Sequence, residues 1–115
     1  MKTFTHVASE LGKRGIAFLC AREAQGPDSI GPALKKAFGG IYIANEKFTK
    51  ETANEIIAKG DADAVAFGVL AIANPDLAER FAKNAPLNAP NPATFYSFDD
   101  KIQGYTDYPF LEQAG

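Results

Sequence analysis

Hydrophobic positions change period several times along the chain, and each change marks an element. Phe4, Val7, Ala8 and Leu11 fall at i, i+3, i+4 and i+7, one face of a helix. Lys13 and Arg14 suit its negative end, and Gly15 suits its stop. The continuous apolar run from Ile16 to Ala21 is too short for a helix and predicts a strand buried on both faces. A loop with Gly26 and Pro27 follows. Asp28 or Ser29 then caps a second helix, in which Pro32 is tolerated because it lies in the first turn. On that helix Ile30, Leu34, Ala37 and Phe38 share a face, Lys35 and Lys36 point outward, and Gly39-Gly40 ends it.

A second buried strand is predicted over Ile41 to Ala44. Thr49 caps a third helix, with Phe48 and Ala53 at the positions of a hydrophobic staple and Glu51 near the positive end. Ala53, Ile56 and Ile57 form its inner face, and Gly60 is its stop. The third strand runs from Ala64 to Phe67 and closes at Gly68. A short segment, Val69 to Ala73, leads to Asn74-Pro75, where Asn at the N-cap and Pro at the first helical position start a fourth helix. Leu77 and Phe81 are its inner face, and it fades near Asn84. Pro86, Pro90, Pro92 and Pro109 then mark an extended tail. Its Phe and Tyr residues carry too much apolar surface for disorder, so the tail is expected to wrap over another part of the fold.

Buried strands alternating with helices imply parallel pairing through crossovers. Two architectures compete. A dinucleotide-binding half needs a glycine-rich turn after a strand, yet Arg22-Glu23-Ala24-Gln25-Gly26 follows the first strand and no G-x-G-x-x-G occurs. A barrel instead holds a phosphate at the ends of its last two strands, beside a short extra helix. The tight loops at Asn45-Glu46-Lys47 and Gly68-Val69, with the short segment after the latter, favour the closing part of a barrel. A complete barrel takes about 250 residues, and this chain of 115 supplies three strands. Alone it leaves two open strand edges, which invite association.

Composition narrows the class. A net charge of −2 is of the wrong sign for a nucleic-acid partner. One cysteine excludes an internal disulfide, and Cys20 with His6 is too few for a Cys/His metal site. No apolar run approaches the ~18–20 residues that cross a bilayer, and none makes a signal-peptide core. A soluble cytoplasmic protein is expected.

At the third strand the wording becomes specific. Asp63-Ala64-Val65-Ala66-Phe67-Gly68 followed by Ile72-Ala73-Asn74-Pro75-Asp76-Leu77 resembles the last barrel strand of the old yellow enzyme family of FMN-dependent oxidoreductases. Ala85-Pro86-Leu87-Asn88, Thr94-Phe95-Tyr96 and Gly104-Tyr105-Thr106-Asp107-Tyr108-Pro109 resemble that family's C-terminus, in order. Lys13 to Leu19 resembles its sixth strand and the helix before it. The resemblance implies an α/β fold, a partial TIM (β/α)8 barrel: strands six to eight with their helices plus an extended C-terminal tail. Residues 1–115 then form a single C-terminal segment, with three βα units over 1–83 and a wrapping tail over 84–115.

By the same resemblance the chemistry is hydride transfer. NAD(P)H reduces FMN, and the reduced flavin passes hydride to an activated alkene. The family's substrate-orienting pair, proton-donating tyrosine and flavin-facing arginine come from earlier strands and have no counterpart here. What remains is half of the phosphate grip, at Asn45, Glu46 and Lys47 and at Gly68 and Val69. Two positions depart from the usual pattern: Glu46 stands for a glycine and Val69 for an arginine. Backbone N–H groups survive the first change if no positive φ is needed. The second removes a charge-assisted pair of ~1.5–3 kcal/mol, which Lys47 offsets in part as a point charge.

Each assignment has a plainer reading beside it. Gly68-Val69 also reads as a strand-to-helix turn, and Glu46-Lys47 as a solvated charged loop. Tyr105 matches the tail tyrosine that approaches the substrate pocket in relatives, but also reads as tail packing. Cys20 reads as a small core residue, Arg22-Glu23 as a surface ion pair, and Ser97-Phe98-Asp99-Asp100-Lys101 as a solvated loop. Two functions stay open. One is an FMN-dependent ene-reductase whose first five strands come from a complementing N-terminal barrel fragment. The other is a non-catalytic truncated remnant or self-associating partial barrel.

Overall fold

The computed structural model describes residues 1–96 and 103–112. The Ser97–Lys101 loop therefore lies outside the described residues. The chain divides into two compact units, Met1–Phe67 and Gly68–Gly115.

The first unit contains α1 (Lys2–Lys13), β1 (Phe18–Arg22), α2 (Gly31–Phe38), β2 (Ile41–Asn45), α3 (Lys50–Ala58) and β3 (Ala64–Val65). Its three strands form one parallel sheet in the order β1-β2-β3, with Phe18 opposite Ile41 and Ala44 opposite Val65. Alternation along β2 puts Tyr42 and Ala44 on one face, where they are buried with Leu34, Phe38, Phe48 and Ala53. Full burial of Leu34 and Phe38 stabilises by about 1.5–3 kcal/mol each. That exceeds the ~1 kcal/mol of a typical N-cap, so packing rather than capping holds α2. Helix ends follow the sequence signals: Gly15, Gly39 and Gly60 take positive φ after α1, α2 and α3. Thr49 accepts from the Thr52 N–H at 3.2 Å, and the Thr52 hydroxyl accepts from the Thr49 N–H at 3.0 Å, closing a capping box.

Several expectations are corrected. β1 spans Phe18–Arg22 rather than Ile16–Ala21, and only one of its faces is covered. Leu19 and Ala21 pack on the core, whereas Phe18 is 52% exposed and Cys20 is exposed on the other face. Ile41 of β2 is exposed on that face as well. An apolar run states that a strand can be buried twice; a second layer must exist to bury it, and within this unit α2 and α3 pack on the Tyr42 face alone. Cys20 is thus not a core residue. Ile57 is exposed rather than inward, as are Phe4 and Val7, which leaves Ala8 and Leu11 to seat α1. Lys35 does not point into solvent: its ammonium donates to the Gly60 carbonyl at 2.7 Å and pairs with Asp63 at 3.3 Å. β3 has two residues, not four, although the Ala66 N–H still donates to the Ala44 carbonyl at 2.9 Å.

The second unit contains α4 (Val69–Ala73), α5 (Leu77–Lys83) and a 3-10 turn over Pro92–Thr94. Asn74 does not cap α5, which starts two residues later than predicted with Asp76 at its N-cap. Asn74 is buried instead. Its amide donates to the Leu70 carbonyl at 3.0 Å and accepts from the Asn88 N–H at 2.7 Å. Asn84 ends α5 with φ of 52°. Tyr96 and Tyr105 of the tail are exposed, whereas Phe95 and Tyr108 are partly covered.

Candidate functional site

Parallel pairing aligns the C-terminal ends of β1 and β2 at one end of the sheet, so the loops that follow them meet. The Glu23 N–H donates to the Asn45 carbonyl at 2.7 Å, and the Gln25 amide donates to the Glu46 carbonyl at 2.9 Å. The Arg22 guanidinium is ion-paired with the Glu46 carboxylate. The expected Arg22-Glu23 pair is therefore replaced by two separate contacts. Glu23 turns to α2, where it accepts from the Ile30 N–H at 3.0 Å and from the Ser29 hydroxyl. Ser29 in turn accepts from the Gly31 N–H at 3.3 Å. Neither Asp28 nor Ser29 is the N-cap of α2, which is Ile30. A carboxylate from β1's end supplies the capping acceptor that Ile30 lacks.

Asn45 is the last residue of β2 and is half-buried, as is Glu46; Lys47 is exposed and holds φ of 60°. A lysine at positive φ is unusual, and the turn it makes leaves the Glu46 and Lys47 N–H groups without a protein acceptor among the described residues. Consecutive unbonded amides in such a turn form a concavity that suits an anion. The Glu46 carboxylate opposes an anion, and the Arg22 pair offsets that charge. The turn thus fits a phosphate as far as its own donors and charges are concerned.

A cavity of about 430 Å³ opens beside this turn, between α2, α3 and the sheet, lined by Glu23, Tyr42, Asn45 and Phe48. Burial, together with the nearby Glu23 carboxylate, pushes the Tyr42 phenol above its usual range, so it stays protonated at neutral pH. Gly31 keeps the rim close: a Cβ there would stand 3.2 Å from the Tyr42 hydroxyl and 3.4 Å from the Ser29 hydroxyl, so a side chain would have to push these groups back by a few tenths of an ångström.

The other predicted residues belong to the second unit. Gly68 is the N-cap of α4 and accepts from the Ile72 N–H at 2.9 Å through its carbonyl, while Val69, the first residue of α4, is half exposed. Tyr105 is 84% exposed, so packing inside this unit does not account for it. Sequence reasoning missed Arg80, which is 2% exposed. Its spacing from Asp76, i to i+4 on α5, was the available signal.

No family model matches the chain. It is 43% identical over 113 residues, 96% of its length, to a 12-oxophytodienoate reductase-like protein of Solanum lycopersicum, of which the match covers 31%. Its fold superposes on the old yellow enzyme homologue of Zymomonas mobilis with a TM-score of 0.86 and 36% identity, over 94% of this chain and 32% of that one. Morphinone reductase, solved in complex with tetrahydroNAD, gives a TM-score of 0.85 and 40% identity over 96% of this chain and 30% of that one. The chain spans about a third of the length of these relatives. The three parallel strands are part of a TIM barrel, as the resemblance implied. By sequence and fold together, the chain belongs to the old yellow enzyme family and corresponds to the C-terminal portion of its members.

Proposed function

We propose that the chain forms the phosphate-binding arc of an FMN-dependent NAD(P)H oxidoreductase that reduces activated alkenes. In this reading the other strands come from further residues of the same polypeptide or from a complementing barrel fragment. FMN, when bound, carries the hydride between the nicotinamide donor and the alkene. The residues here hold and orient it. Amides at Glu46 and Lys47, beside Asn45 at the end of β2, take the phosphate, and Lys47 adds positive charge; within the second unit, the resemblance gives Gly68 and Val69 a phosphate role and Tyr105 a substrate role. The observation that carries this reading is the Glu46-Lys47 turn at the C-terminal end of a parallel strand, with its amides unbonded and its carboxylate neutralised by Arg22.

Flavin titration tests it, with the chain alone and with an N-terminal fragment of a relative. Stoichiometric FMN retention in the mixture is expected. Absence of retention in both samples removes the proposal.

A second reading rests on Phe18, Cys20 and Ile41, exposed together on one sheet face. Such a face suits a non-catalytic partial barrel that associates with its own copies. Size-exclusion chromatography separates the two: a concentration-independent monomer that binds flavin eliminates the self-associating form.

A further inference from the structure

We propose that Arg80 and Asp76 form a latch that fixes the strap of residues 103–112 on α5 and through it positions Tyr105. Arg80 is almost fully buried on a helix of seven residues, and its guanidinium makes three directed bonds. Nε donates to Asp76 Oδ1 at 2.7 Å, Nη1 to the Pro86 carbonyl at 2.7 Å, and Nη2 to the Pro109 carbonyl at 2.8 Å. The second Asp76 oxygen accepts from the Leu111 N–H at 2.7 Å. One ion pair thus grips the chain at Pro86, Pro109 and Leu111. Only a planar fork of donors makes these three bonds at once, which a lysine does not offer.

Apolar burial does not fix the strap at Tyr105, which is 84% exposed, and it covers Tyr108, Phe110 and Leu111 only in part. The bonds continue toward Tyr105. Asn88 donates to the Pro109 carbonyl at 2.9 Å, and the Tyr108 hydroxyl accepts from the Asn91 N–H at 2.9 Å. The Gly104 N–H donates to Asp107 at 2.6 Å. Gly104 has φ of 79°, and a Cβ there would overlap the Thr94 side chain. Tyr105 therefore stands between two pinned points while its ring projects outward. A ring held firmly and left uncovered is arranged to touch something beyond this unit. That the ring meets substrate rests on the proposed function; the latch does not.

Hydrogen exchange by NMR on the full chain tests the latch, with Asp76→Asn, Arg80→Met and Arg80→Lys beside the wild type. In the first two, the Gly104 and Leu111 amides are expected to exchange at least roughly tenfold faster, with the Tyr105 amide signal moving to its random-coil position. Arg80→Lys keeps the charge without the fork and falls between. The Ala53 and Ala66 amides of the first unit keep their wild-type rates. Unchanged exchange at Gly104 overturns the latch, and so does equal acceleration at Ala53, which makes Arg80 a general stability residue. If Arg80→Met does not fold, exchange of the wild type in increasing urea decides. Gly104 and Leu111 opening together, before Ala53, supports the latch, and separate opening overturns it. A chain that passes and binds no flavin in the titration loses the proposed function and keeps the latch.

Discussion

Arg22 and Glu46 form an ion pair across the C-terminal ends of neighbouring parallel strands, joining the two loops that follow β1 and β2. Arg22 is 77% and Glu46 25% exposed at the side chain, so water screens the pair from one side. Exposed pairs contribute ~0–1 kcal/mol, and Arg22→Ala is expected to shift urea stability by no more than that. Its effect on an anion at the Glu46-Lys47 turn is larger, because it leaves a carboxylate beside the ligand. FMN affinity of the complemented chain, read by fluorescence titration, is expected to fall about tenfold, or ~1.4 kcal/mol. Glu46→Gln is expected to raise it. Equal affinities in all three forms remove this turn from the phosphate site.

Gly12 sits where α1 crosses the end of α2, and a Cβ there would overlap the Phe38 carbonyl oxygen. Alanine ordinarily favours a helix over glycine by about 1 kcal/mol. Here the obstacle is backbone, which cannot swing aside, and overpacking costs about 1–3 kcal/mol. Gly12→Ala is therefore expected to lower the urea midpoint. A rise would mean that α1 and α2 pack less closely in solution.

Asp63 ties β2 to α2: its carboxylate accepts from the Tyr42 N–H at 2.8 Å and from Lys35 at 3.3 Å. The Tyr42 N–H, helped by Lys35, holds the Asp63 carboxyl below its usual range. A depressed folded-state pKa means that the unfolded chain binds the proton more readily. The stabilisation is then fully present above the ordinary aspartate value, about 3.9, and is lost as pH falls through the lower folded value. Urea midpoints measured between neutral pH and the onset of acid unfolding are expected to drop below that value, and to drop less in Asp63→Asn. Parallel curves for the two proteins contradict the assignment.

Cys20 lies on the uncovered face of the sheet. A thiol reagent is expected to modify the folded chain completely without denaturant, and much more slowly once a complementing fragment or a second copy covers that face. An unreactive thiol in a monomeric chain would place another layer over β1.

Much of the fold is legible because local signals act within a few residues. Gly15, Gly39 and Gly60 stop their helices at positive φ, and Thr49 caps α3, since a turn or cap depends on one residue's own geometry. The staple pair Phe48 and Ala53 is buried as the spacing indicates. The capping of α2 was not legible: its acceptor, Glu23, arrives from the end of β1. The candidate turn was legible as Asn45-Glu46-Lys47, yet the partner that neutralises Glu46 lies on another strand. Asn74-Pro75 pointed to a cap, and the Asn74 side chain was instead drawn to Asn88.

By itself the sequence determined the order of helices and strands, their parallel pairing and the family. Hydrophobic period and turn chemistry are short-range properties, and family motifs are read in order along the chain. Only the tertiary structure decided which sheet face is covered, which charges meet at the strand ends, and that a single buried arginine gathers the tail. Those outcomes depend on groups distant in the chain arriving within a hydrogen bond of one another, and no local pattern encodes that distance.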